Sequence, residues 1–165
     1  MKKYILKLLK RLGFNFVTIE GWVELECKDR FGNLKWSWSG HNGITNAGFA
    51  QLALLAGDAT AVPFTYLAVG TSTTAFSAAQ TALIAEVTDT GLARVSATVS
   101  RVTTTQTNDT LQLVYTWTAT GTKAIEEVGV FNAGSSGTML GRALTTTKTV
   151  TNTDQLLATY KVKFS

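Results

Sequence analysis

The sequence predicts a mainly β domain: an antiparallel β-sandwich, jelly-roll-like, of about eight strands, with one inserted α-helix and a short basic amphipathic helix at the N-terminus. Three observations carry that expectation. Apolar and polar residues alternate with a period of two through much of the chain after residue 91, and again in 23–28 and 156–164. Turn signals separate these runs at close spacing, as in sandwiches and jelly rolls. Hydrophobic residues are 45% of the 165, enough for a sizeable core in one domain. Residues 1–13 read as an arm and 14–165 as the sandwich.

In residues 1–12, Tyr4 or Ile5, Leu8 or Leu9, and Leu12 recur at helical spacing, with lysines on the other face. Gly13 can end that helix. Twelve residues are too few for a stable isolated helix in water. The arm therefore needs a partner surface: the body of its own domain, a neighbouring subunit or a membrane. It holds Lys2, Lys3, Lys7, Lys10 and Arg11 and no acid, a charge of +5. The whole chain carries +4, so everything after the arm sums to −1. A general nucleic-acid surface would want that basic charge on the fold itself, so no direct nucleic-acid partner is expected. The arm is broken by lysines and followed by no small-residue cleavage site, which argues against a signal peptide. No apolar run reaches the 18 or so residues of a membrane span, and no membrane partner is expected.

Strict alternation in Val23–Lys28 predicts a strand with one buried face, and Cys27 falls in the apolar register. Asp29–Asn33 is a turn, and Leu34–Ser39 alternates again, so 22–39 forms a hairpin. Its apolar side carries Leu34, Trp36 and Trp38, with Trp22 near. The Trp pair is read as packed on the domain's own core; an exposed pair would instead bind sugars or a protein partner. Asn42-Gly43 reads as a turn. Thr45 or Asn46 caps a helix over 47–56 that carries Phe49, Leu52, Ala53 and Ala56 on its apolar face, with Leu54 and Leu55 widening it. Phe64–Val69 is a mostly apolar, central strand. Gly70–Thr74 is a connector, lacking the Gly and Lys of a phosphate loop. Gln80–Val87 can hold one helical turn with Leu83 and Ile84 inward. Residues 91–119 predict one long hairpin turning at Gln106–Asp109. Strands follow at 126–131, 138–144 and 156–164, with a Gly/Ser turn at 133–137 and polar strand-like residues at 145–153.

The chemistry expected of an enzyme is missing. One His and one Cys exclude the common zinc sites. No acidic loop of the calcium-binding kind is present, and no cofactor is expected. His41 lies in a Gly-flanked loop without a nucleophile motif. Glu86, Glu126 and Glu127 are the only candidates for a catalytic carboxylate pair in the sandwich. Adjacent Glu126 and Glu127 should point to opposite faces of a strand. The preferred reading pairs one of them, or Glu86, with Arg94 or Arg142 to fix a strand or subunit register.

The order of several short motifs resembles a known group. They run Gly32-Asn33-Leu34, then Asn42-Gly43-Ile44-Thr45-Asn46-Ala47-Gly48, then Phe64–Thr71, Thr81-Ala82-Leu83 with Glu86, and Arg94. Glu127–Asn132 and Gly137–Arg142 complete the series. This resembles small tailed-phage virion proteins described as tail fibre proteins or capsid decoration (cement) proteins, over about residues 20–164. The resemblance implies a β-sandwich, often in symmetric oligomers, that binds the virion and catalyses nothing. Only 16% of the residues are charged, against roughly 25% in ordinary soluble domains, which fits a surface partly covered by partners. The expected function is a cement protein on the outer capsid, a homotrimer binding the major capsid protein and neighbouring copies of itself. The alternative is a tail or fibre component binding the host surface. The expected partner-binding residues are Lys2, Lys3, Leu6, Lys7, Leu9, Lys10 and Arg11 of the arm, with Trp22, Trp36 and Trp38 of the hairpin.

Overall fold

A computed structural model describes residues 17–165 as two five-stranded antiparallel sheets with one helix. In chain order the elements are β1 (Ile19–Lys28), β2 (Leu34–His41), β3 (Gly43–Ile44), α1 (Asn46–Gly57), β4 (Tyr66–Gly70) and β5 (Val95–Ser96). Then come β6 (Thr98–Val102), β7 (Thr110–Thr118), β8 (Lys123–Phe131), β9 (Met139–Val150) and β10 (Gln155–Phe164). The first sheet runs β2-β1-β10-β7-β6 and the second β3-β9-β8-β4-β5. The expected sandwich with an early helix is observed, with ten strands rather than eight among the described residues. The expected arm helix, and with it Lys2, Lys3, Leu6, Lys7, Leu9, Lys10 and Arg11, lies outside them.

The first sheet follows its alternation. Val23, Leu25 and Cys27 of β1 and Leu156, Ala158, Tyr160 and Val162 of β10 are buried, while their neighbours face outward. β1 and β10 pair from Ile19↔Phe164 to Lys28↔Gln155, so the first and last strands run side by side in the sheet. β2 places Trp36 opposite Cys27 and Trp38 opposite Leu25. Both indoles therefore share the inner face and pack against the core. Leu34, expected beside them, is exposed because a bulge at Cys27/Lys28 shifts the register there.

The second sheet is buried more continuously: Leu67–Gly70 of β4 and Glu127–Phe131 of β8 are all buried. One face meets the first sheet. The connector between β4 and β5 bonds to the other face and to the edge of β4. Leu83 from this connector packs with Ala68, Phe131 and Met139 in a second small cluster. The helical turn expected at Gln80–Val87 does not form, and Ile84 is exposed. The backbone there bonds outward instead: Thr71 N–H to the Ala85 carbonyl, Val87 N–H to that of Val69.

Two expectations fail at passages between the sheets. The alternation over 91–102 belongs to two strands, not one hairpin arm. β5 pairs with β4 in the second sheet, and β6 pairs with β7 in the first. The passage falls at Ala97, whose N–H bonds to the Thr65 carbonyl. Period two reports the face a residue takes, not the sheet it joins. Likewise Asn42-Gly43 is no turn. His41 ends β2 rather than lying in a loop, and Gly43-Ile44 pair with Arg142 and Gly141 in the second sheet. A Cβ at Gly43 would run into the Phe76 ring.

Helix α1 begins at the cap Thr45, whose hydroxyl accepts the Gly48 N–H and donates to the Met139 carbonyl at 2.6 Å. Gly48 lets the helix settle on β9, since a Cβ there would meet the Leu140 carbonyl. Only part of the expected apolar face packs inward. Leu52 and Leu55 pack against the core, whereas Phe49 and Leu54 are 49% and 47% exposed, and Ala53 and Ala56 are exposed too. The helix is apolar all round, so spacing alone did not choose its inner face.

Candidate interaction surfaces

Two of the three carboxylates that could have formed a reactive pair, Glu86 and Glu127, are each committed to an arginine. Glu127 and Arg142 are fully buried, with Arg142 Nε 2.5 Å from a Glu127 oxygen. Glu127 also accepts the N–H groups of Ile84 and Ala85. Arg142 also donates to the Thr74 carbonyl at 2.8 Å and to the Gln80 side chain. The pair thus clamps both arms of the connector onto the second sheet. Glu86 meets Arg94 in a two-pronged pair at 2.9 and 2.6 Å. Arg94 lies 3.5 Å over the Phe131 ring and donates to the Ala133 and Ser136 carbonyls, fixing the 133–137 turn. Glu126 accepts the Thr147 hydroxyl on the exposed side. One pair was expected, between one of these glutamates and Arg94 or Arg142; the structure holds two, Glu86 with Arg94 and Glu127 with Arg142.

Cys27 sits against Asp154, its thiol donating to the carboxylate at 3.7 Å. Burial and the Asp154 charge push this thiol up to about 11, so it stays protonated and unreactive at neutral pH. Asp154 in turn holds the Lys35 ammonium at 2.5 Å and accepts the Thr151 N–H and hydroxyl. Burial opposes its charge, yet these partners outweigh it and hold the carboxyl below its ordinary value of 3.8. Tyr160 is fully buried, which pushes its phenol up, and its hydroxyl takes a hydrogen bond from Asn42. Among the described residues no three His, Cys, Asp or Glu side chains gather as a metal site would require.

The structure separates the three hairpin tryptophans. Trp36 donates its indole N–H to the Thr149 carbonyl at 2.8 Å, tying β2 to β9 of the other sheet. Trp38 shares that inner face. Trp22 lies on the outer face, in register with His41, with the Lys161 ammonium 5.9 Å from its ring. It borders a shallow depression with Glu24, Ser39 and His41. Glu24 and Lys161 pair there at 3.3 Å.

A second concave surface is apolar. Leu52 and Leu55 of α1 form one wall, and Phe64, Val99, Leu111 and Phe164 the rest, around a volume of 280 Å³. Sequence reasoning missed this groove because α1 and the strand ends beneath it meet only in the folded chain. One signal was present: Asn46–Gly57 contains no charged residue.

These elements meet a known pattern from the α1 cap onward. The family model of the podophage GP4 fiber I protein gp80 matches residues 45–162. The chain belongs to this family. The gp80 match takes in α1, β4 to β9 and most of β10, and with them both glutamate–arginine pairs. The β1–β2 hairpin with its three tryptophans, and everything before it, lies outside the match. The protein is thus a fibre-like phage virion protein. No curated protein and no solved structure matches the chain.

Proposed function

We propose that this protein is a non-enzymatic structural subunit of a phage fibre. The observation that supports it is the gp80 fiber-family match across residues 45–162. The committed glutamates agree with a structural role: each is spent on anchoring a connector or a turn. Exposed Phe49 and Leu54 on a charge-free helix suit contact with neighbouring copies.

A second reading, a capsid decoration protein bound as a homotrimer to the major capsid protein, is favoured by another observation. All ten described strands belong to one sandwich with no shaft, and its charge content is low enough for a subunit covered by a lattice. Gold-labelled antibody against the sandwich, imaged on intact virions, separates the two. Label confined to appendages supports the fibre reading, and label spread over the head replaces it with the decoration reading.

A further inference from the structure

We propose that the apolar groove beneath α1 is the docking site for the chain's own N-terminal arm, residues 4–12, in the same molecule. The inference goes beyond the fibre or capsid reading and stands independently of it.

The groove offers apolar walls and little else: Leu52, Leu55, Phe64, Val99, Leu111 and Phe164 surround it, with Arg101 and Asn108 also lining it. An open apolar trough of this kind is stabilised by an apolar cover. The arm has the matching pattern. On a helix, Ile5, Leu8, Leu9 and Leu12 form one stripe, and Lys3, Lys7 and Lys10 gather on the opposite side. Docked by the stripe, the arm would turn its lysines to solvent and away from Arg101.

The tether decides for this occupant over others. Thr18 exchanges backbone hydrogen bonds with Ser165, at 2.6 and 2.9 Å. The adjacent residue, Phe164, is itself a wall of the groove. The chain therefore enters the described fold beside the groove. Residues 13–16 extend to about 14 Å, enough to lead a helix from that wall onto the trough. So short a link holds the arm at an effective concentration of roughly millimolar or more, which favours the attached arm over one from another molecule. A helix too short to persist alone in water is stabilised by such a seat.

The test uses the full chain with Lys10→Cys, which places a nitroxide spin label on the polar side of the arm. Native Cys27 is fully buried and stays unlabelled. Isotope-labelled, spin-labelled protein is diluted into excess unmodified protein, and amide signals are read by NMR. The expected result is loss of signal at Leu52, Leu55, Val99 and Leu111, while the Asp29–Asn33 turn at the far end of β1 stays sharp. Unchanged groove signals, or broadening spread evenly over the body, would overturn the proposal. So would broadening that appears only when spin-labelled protein is mixed with separate isotope-labelled molecules, since that places the arm on a second copy. Adding Leu8→Glu and Leu9→Glu to the labelled chain should restore the groove signals. These changes lie in the arm, and retention would show that the apolar stripe is not what docks.

Discussion

The two sheets share a composition rich in Val and Thr yet are held by different chemistry. The first is apolar inside and wet outside, and its charged contacts are peripheral: Lys161 reaches Glu24 across β10 and β1 on the solvent face. The second has cover on both faces, and beneath its connector lie a glutamate and an arginine with no exposure at all. The difference follows from the connector. A 24-residue link between β4 and β5 supplies few apolar side chains to bury, so its own N–H and carbonyl groups become the anchor points. A carboxylate and a guanidinium are the groups able to satisfy several of them at once. The second sheet is thus fastened by ions that must be paired, the first by apolar area.

The strongest way to break that contrast is to remove one buried ion. Arg142→Met leaves Glu127 charged without its partner, and a loss of about 3–5 kcal/mol is expected from the midpoint of urea unfolding. Adding Glu127→Leu should recover only part of that. The pair's mutual penalty disappears, but the N–H groups of Ile84 and Ala85 remain without an acceptor. Full recovery would show that the connector does not depend on the clamp.

Arg94→Ala should cost about 1.5–3 kcal/mol, the scale of hydrogen bonds to charged groups. Hydrogen exchange should rise first in the 133–137 turn, which loses two carbonyl partners. An increase spread equally over both sheets would argue that Arg94 has no local role.

Asp154→Asn, at the turn entering β10, should cost about 1–3 kcal/mol at neutral pH. The folded carboxyl titrates below 3.8, so its stabilisation is complete above that value and is lost as pH falls through the lowered one. The variant should therefore show a flatter fall in thermal midpoint below pH 3.8 than the parent. Parallel curves would place the acid sensitivity elsewhere.

The smallest effect belongs to the wet face of the first sheet. Lys161→Ala should change stability by at most about 1 kcal/mol, and less in high salt. A larger loss would mean that the outer face carries more than solvent-screened pairs.

Particular residues show what could be read before folding. The alternation of β1, β7 and β10 names its own buried side chains, because a strand with one wet face writes its orientation into the sequence. The glutamate–arginine pairing was legible too, because few charges fall in those strands and a buried one needs a partner. The face of α1 was not legible, as Phe49 and Leu52 are equally apolar. Nor was the split of 91–102 between sheets, since β5 and β6 carry the same period. Trp22 shows the middle case: its position in the strand puts it on the outer face beside Glu24 and away from Trp36 and Trp38. Only the register between β1 and β2 made that plain.

The sequence by itself determined the sandwich class, the inserted helix with a cap at Thr45 or Asn46, and the need to pair the inner charges. These are local matters of period, capping and desolvation. The tertiary structure decided where the chain changes sheet, which ions meet which, and that an apolar groove opens between α1 and the ends of β6, β7 and β10. Those depend on residues far apart in the chain coming together, and no local pattern encodes which distant partner wins.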